Sequence, residues 1–230
     1  MASQLRPRCS ETHADLNDQL TNVVTFLVLG FVGFRLVGGL RTARTGPGRV
    51  LVTRVWRNIG WHHVWPVPLL LTAVIAIATA LIAIPGLSWG WWSALGGEGN
   101  PIFASSESTI WTVWEWLIPL VFMALLFPAL PLFAYAEERM FRGGAEEWSR
   151  GRRVLKTVQF GMIHALIGIP IGAALALSVG GAYFMWVYLR RYRESTSRDE
   201  SLIESATAHA VYNGLIVIML IVTFVLDAVA

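Results

Sequence analysis

The sequence predicts an all-α, polytopic membrane bundle of about six transmembrane helices. Three observations predict it. Of its 230 residues, 55% are hydrophobic and only 14% are charged, where an ordinary soluble domain carries about 25% charged residues. Several apolar runs approach the ~20 residues needed to cross a hydrocarbon core. The basic residues, nearly all arginine, gather in three connecting segments. The short alternating segments of a β-barrel are not visible. The net charge of +3, distributed in this way, describes membrane topology in a lipid bilayer and not a nucleic-acid partner.

Each element follows in order. The N-terminal tail is polar and holds the single cysteine, Cys9, so no intrachain disulfide is expected. It lacks the basic start and small-residue cleavage pattern of a signal peptide, and no removal is expected. The first span covers about Thr21 to Leu40, with Arg35 close enough to its end to snorkel to the headgroups. The second covers about Val64 to Pro85. Trp61 and Trp65 flank one end and Trp89, Trp91 and Trp92 the other, as in interfacial aromatic belts. Gly86 to Ile110 is rich in Gly and Ser, with Pro101, and has no Lys or Arg; it reads as a translocated loop. The third span runs from Trp111 to Ala136. If the helix continues, it carries Glu137, Glu138 and Arg142 before Gly143-Gly144 stops it.

Thr157 to Leu189 is too long for one span and breaks at Gly168-Ile169-Pro170, because proline disrupts a helix interior. A helical hairpin is expected there. Gly172, Ala176 and Gly180 in its second arm have the four-residue spacing that lets helices approach closely. The last span covers Leu202 to Leu226. Residues 1–110 thus supply a tail, two spans and an outer loop. Residues 111–230 supply a four-span core, and the two parts form a single membrane domain. The basic segments Arg41–Arg57, Arg139–Lys156 and Arg190–Arg198 then fall on one side, in agreement with the positive-inside rule. Both termini are expected outside.

Ionisable residues inside membrane spans are costly and point to function. On a helix, Glu138 and Arg142 share a face, with the acid N-terminal to the base, the favourable order for an ion pair. Glu137 lies ~100° around from Glu138 and stays free to bind water. Phe160 and His164 share a face by the same spacing, as do His209 and Asn213. An interfacial ion pair, a hydrogen-bonded helix histidine and a packing asparagine are the plain structural readings of these three motifs. Depth connects them. His164 lies ~12 Å beyond Lys156, His209 ~13 Å beyond Glu200, and Glu137 ~9 Å before the glycine stop, all along helices. The acid and both imidazoles are therefore expected at one level near the cytoplasmic surface. Adjacent His62 and His63 diverge by ~100° on a helix, so an interfacial role and no chelate is expected of them. His13, Glu115, Ser178 and Asp227 have no catalytic setting by spacing.

Glu137-Glu138-Arg139-Met140-Phe141-Arg142, Phe160-Gly161-Met162-Ile163-His164 and His209-Ala210-Val211-Tyr212-Asn213 together resemble the motif set of the CPBP intramembrane protease family. That family includes CAAX prenyl endopeptidases of the Rce1 type and Abi bacteriocin-immunity proteins. The resemblance covers about Trp111 to Leu226. It implies that Glu137 is the general base, that His164 helps orient water, and that His209 and Asn213 stabilise the oxyanion. Glu138, Arg142 and Phe160 would support them. It implies a membrane-associated protein or peptide as substrate and a bacterial plasma-membrane location, with the site toward the cytoplasmic leaflet. No cofactor is expected. The alternative is zinc on Glu137, His164 and His209, since two histidines and a glutamate form a known catalytic set. The competing function is a non-catalytic membrane scaffold or immunity protein on the same fold. A proton-relay transporter is disfavoured by the lack of internal repeats.

Overall fold

The computed structural model describes residues 8–94 and 113–229, and among these it is helical without strands. The helices are α1 (Arg8–Arg44), α2 (Gly46–Arg57), α3 (Trp61–Val64), α4 (Pro66–Ile82), α5 (Trp91–Ala94), α6 (Val113–Arg142), α7 (Arg150–Met162), α8 (Ile171–Ser195) and α9 (Arg198–Val229). Short 3₁₀ turns lie at Ala145–Glu147 and Ile163–Ile167. The expected polar tail is helical from Arg8 onward. Most of the expected translocated loop, and the start of the third expected span, lie outside the described residues.

Five helical segments are long and apolar enough to cross a membrane: Phe26–Arg44, Trp61–Ile82, Leu120–Glu147, Ile171–Ser195 and Arg198–Thr223. The chain is a multi-pass helical membrane protein. Phe26, Phe31, Phe34, Leu69 and Val222 turn outward, as expected where lipid is the solvent. The fourth expected span, the first arm of the hairpin from Thr157, is corrected: it is not among these five. α7 has only 13 residues, and Arg150, Arg152, Arg153 and Lys156 occupy its first half, so little of it is apolar. The arm is completed by the 3₁₀ turn and reaches the loop after α4. There the Trp91 indole donates to the Ala165 carbonyl at 3.0 Å, and Gly172 N donates to the Leu87 carbonyl at 2.7 Å.

The breaks fall where the sequence places them. Gly143 N bonds the Arg139 carbonyl at 3.3 Å, and Gly144 takes φ 87°, a left-handed turn that ends α6. Gly168 takes φ 92°, and Pro170 precedes α8 as its N-cap. Ser149 caps α7 by accepting from Arg152 N.

Close packing of α7 on α8 depends on Gly161 rather than on Gly180. A Cβ at Gly161 would lie 2.3 Å from the Ala174 carbonyl oxygen and 2.4 Å from Ser178 Oγ. At Gly180 it would meet only the Phe184 ring, at 3.8 Å. Gly172 does serve as expected, against the backbone of Leu81 and Ile82 on α4. The core draws Leu71, Phe141, Phe160, Phe184, Ala208 and Tyr212 from α4, α6, α7, α8 and α9. α4 packs on α8, and α2 packs on α6 and α9, which joins the two halves of the chain.

Candidate active site

α6, α7, α8 and α9 each contribute to a buried polar cluster. Glu138 and Arg142 are fully buried, and Arg142 Nη1 donates to Glu138 Oε1 at 2.9 Å, the expected i,i+4 pair. Arg142 Nη2 donates to the Gly181 carbonyl at 3.1 Å. The guanidinium carbon lies 4.2 Å from the Phe160 ring centroid, where the ring face attracts a cation. Glu138 also accepts from Ser205 Oγ at its second oxygen and from His209 Nδ1 at 2.9 Å. His209 is buried and stacks on Phe184, with centroids 4.5 Å apart. A carboxylate accepts only, so the Nδ1 proton of His209 belongs to this bond and Nε2 is left facing Glu137.

Glu137 differs from its neighbour. Its side chain is 33% exposed, yet its Oε2 is buried and has no hydrogen-bond partner among the described residues. That oxygen lies 3.8 Å from His209 Nε2, too far for a hydrogen bond. His164 is half-buried, and its Nδ1 donates to the Phe160 carbonyl at 2.9 Å. Phe160 separates the imidazoles, with its ring centroid 5.4 Å from that of His164 and 5.4 Å from that of His209. Asn213 is half-buried one turn beyond His209. The structure thus brings Glu137, Glu138, Arg142 and His209 together and links His164 through Phe160.

The zinc alternative at Glu137, His164 and His209 does not fit. Their ligand atoms do not converge within 4.8 Å; among the described residues only His62, His63 and Glu204 do so. The expectation that His62 and His63 form no joint site is therefore corrected. Their ring centroids are 3.9 Å apart, and His62 Nε2 and His63 Nε2 lie 3.0 Å and 3.2 Å from Glu204 Oε1. The ~100° separation along a helix holds, but α3 is a single turn. Its two side chains reach forward onto α9 instead of lying along their own helix. Asn58 Nδ2 holds the other oxygen of Glu204 at 3.0 Å.

Glu204 and Phe184 were not identified from the sequence, and Ser205 was weighed there only as a serine nucleophile and set aside. Ser205 could have been placed in this cluster, since it lies four residues before His209 and so shares its face. Glu204 has no such signal, because its partners come from residues 58–63. The side chains of Cys9, His13, Glu115 and Asp227 lie outside the described residues.

Two cavities border this region. One, of about 830 Å³, is lined by His62, His63, Glu204, Tyr183 and Trp186 among others. The other, of about 580 Å³, is lined by Arg49, Arg54, Arg57 and Arg191 together with Glu200 and Glu204. Neither is lined by Glu137, His164, His209 or Asn213. No family model, no curated protein and no solved structure matches the chain.

Proposed function

We propose that the protein is an intramembrane endopeptidase of the CPBP type, hydrolysing peptide bonds of membrane-associated proteins or peptides. One observation carries this reading. Of two adjacent glutamates in a buried polar cluster, Glu138 is saturated by Arg142, Ser205 and His209, while Glu137 keeps a buried oxygen beside His209 with no hydrogen bond to any described residue.

In this reading Glu137 takes a proton from water as the hydroxide attacks the scissile carbonyl, and later returns that proton to the leaving amine. His164 donates Nδ1–H to the Phe160 carbonyl, so the Nε2 lone pair of the neutral ring is available to orient the same water. Negative charge developing on the carbonyl oxygen calls for preplaced donors. The Asn213 amide supplies one, and His209 Nε2–H supplies another when the ring is the imidazolium. Glu138 and Arg142 position His209 and stay out of the chemistry.

The test compares purified wild type with Glu137→Gln on a library of membrane peptides. Loss of a general base is expected to slow cleavage by about 100-fold or more, with an unchanged melting temperature. Equal cleavage by both proteins removes Glu137 from the mechanism. A non-catalytic scaffold or immunity role is the second reading. It draws on the position of both cavities, neither of which Glu137 lines. That role predicts no cleavage of any library member by wild type.

A further inference from the structure

We propose that His62, His63 and Glu204 form a binding site for a divalent transition-metal ion, zinc being the best match, with an open coordination position toward the adjoining cavity. The site is separate from the Glu137 cluster and does not depend on the function assigned there.

The donor set is the first support. Two imidazoles and a carboxylate match the ligands of open zinc sites, which keep the fourth position for water or substrate. Spacing is the second. Ligand atoms around a tetrahedral ion at ~2.0–2.2 Å stand roughly 3.3 Å from one another, and the imidazole nitrogens lie 3.0 and 3.2 Å from Glu204 Oε1. Burial is the third and independent support. His63 is almost completely buried, and its Nε2 points into the cluster, 3.2 Å from Glu204 Oε1 but without the alignment of a hydrogen bond. A buried polar nitrogen held by so poor a contact is costly, and an ion would improve on it. Asn58 anchors the far oxygen of Glu204, the kind of outer support that orients a ligating carboxylate. His62 is 63% exposed and gives an ion a route in. The cavity of about 830 Å³ leaves room for a fourth ligand.

One hydrogen bond must rearrange. Gly60 N donates to His63 Nδ1 at 3.1 Å, so in the metal-free chain a neutral His63 carries its proton on Nε2. Metal binding at Nε2 moves the proton to Nδ1 and breaks that bond. A flip of the Ile59–Gly60 peptide, which glycine tolerates, would turn the Ile59 carbonyl toward Nδ1–H. A carbonyl there is the usual second partner of a metal-bound histidine.

The experiment uses the full chain purified without a histidine tag, stripped with a chelator and titrated with zinc chloride by calorimetry, with metal content read by mass spectrometry. One zinc per chain is expected. His63→Gln and, separately, His62→Gln each weaken binding at least tenfold, while Glu137→Gln leaves it unchanged. His62 is exposed, so its variant remains informative if His63→Gln does not fold. Cobalt substitution reports tetrahedral visible bands that the His62→Gln variant loses. Absence of stoichiometric zinc overturns the proposal. So does retention of zinc by His62→Gln together with its loss in Glu137→Gln, which places the ion at the other cluster.

Discussion

Glu204 and Ser205 are neighbours on α9, and each belongs to a carboxylate–imidazole cluster of a different kind. Ser205 donates to Glu138, which also meets Arg142 and His209 in a site closed to solvent. Glu204 meets His62, His63 and Asn58, is 20% exposed, and lines both cavities. The first cluster contains a permanent cation, because a guanidinium does not lose its proton in proteins. The second contains none. A buried carboxylate needs a counter-charge. Glu138 has one within its own helix, whereas Glu204 is held by two imidazoles and an amide and opens onto a cavity lined by arginines. Glu138 and Arg142 therefore tie α6 to α8 and α9, whereas the open cluster is the one with access for the proposed ion.

The largest effect should come from removing that cation. Arg142→Met leaves Glu138 fully buried without its partner, at a cost of about 3–5 kcal/mol. A variant that does not survive detergent extraction, or that melts far below wild type, is the expected result. Glu138→Gln on the same background should recover much of the loss, since an amide and a thioether carry no uncompensated charge. If the double variant is no better than Arg142→Met, the two residues are not a pair in the membrane, and the contrast between the clusters fails.

The all-α class and the break at Gly168–Pro170 were legible because hydropathy and proline act locally. The Glu138–Arg142 pair was legible for the same reason, as both residues lie on one helix at a fixed spacing. The half-length α7 was not, since hydropathy starts the first arm at Thr157, whereas the helix begins at Arg150 inside the basic segment and ends at Met162. The convergence of His209 on α6 was anticipated from depth alone. Depth, however, does not say which glutamate an imidazole meets, and Nδ1 of His209 chose Glu138. The His62–His63–Glu204 cluster was hidden entirely. His62 and Glu204 are separated by 142 positions, and nothing in the pattern of α9 marks Glu204 as facing α3.

A smaller effect is expected at Ser205. Its hydroxyl donates to Glu138 and lies 3.0 Å from the Phe184 carbonyl. Ser205→Ala removes a donor from a buried carboxylate oxygen and should cost about 1–3 kcal/mol, read as a lower denaturation midpoint in detergent. Peptide cleavage, if present, should fall modestly in parallel, because Glu138 orients His209. A variant with wild-type stability would mean that this oxygen is satisfied by water and that the cluster is not closed.

Glu204→Gln should have the smallest effect in chelator-treated protein, about 1 kcal/mol or less. The substitution keeps the shape and one acceptor oxygen for an imidazole N–H. Partial exposure lets water serve the remaining contacts, and no fixed cation is left unpaired. Added zinc should then separate the two proteins. Wild type should gain about 2.7 kcal/mol at a free zinc concentration 100 times its dissociation constant, and Glu204→Gln should gain almost none, since a neutral amide is a poor replacement for a carboxylate ligand. The sign of the comparison matters more than its size. A large loss in chelator would make Glu204 a second structural carboxylate like Glu138, whereas a difference that appears only with metal keeps the two clusters distinct.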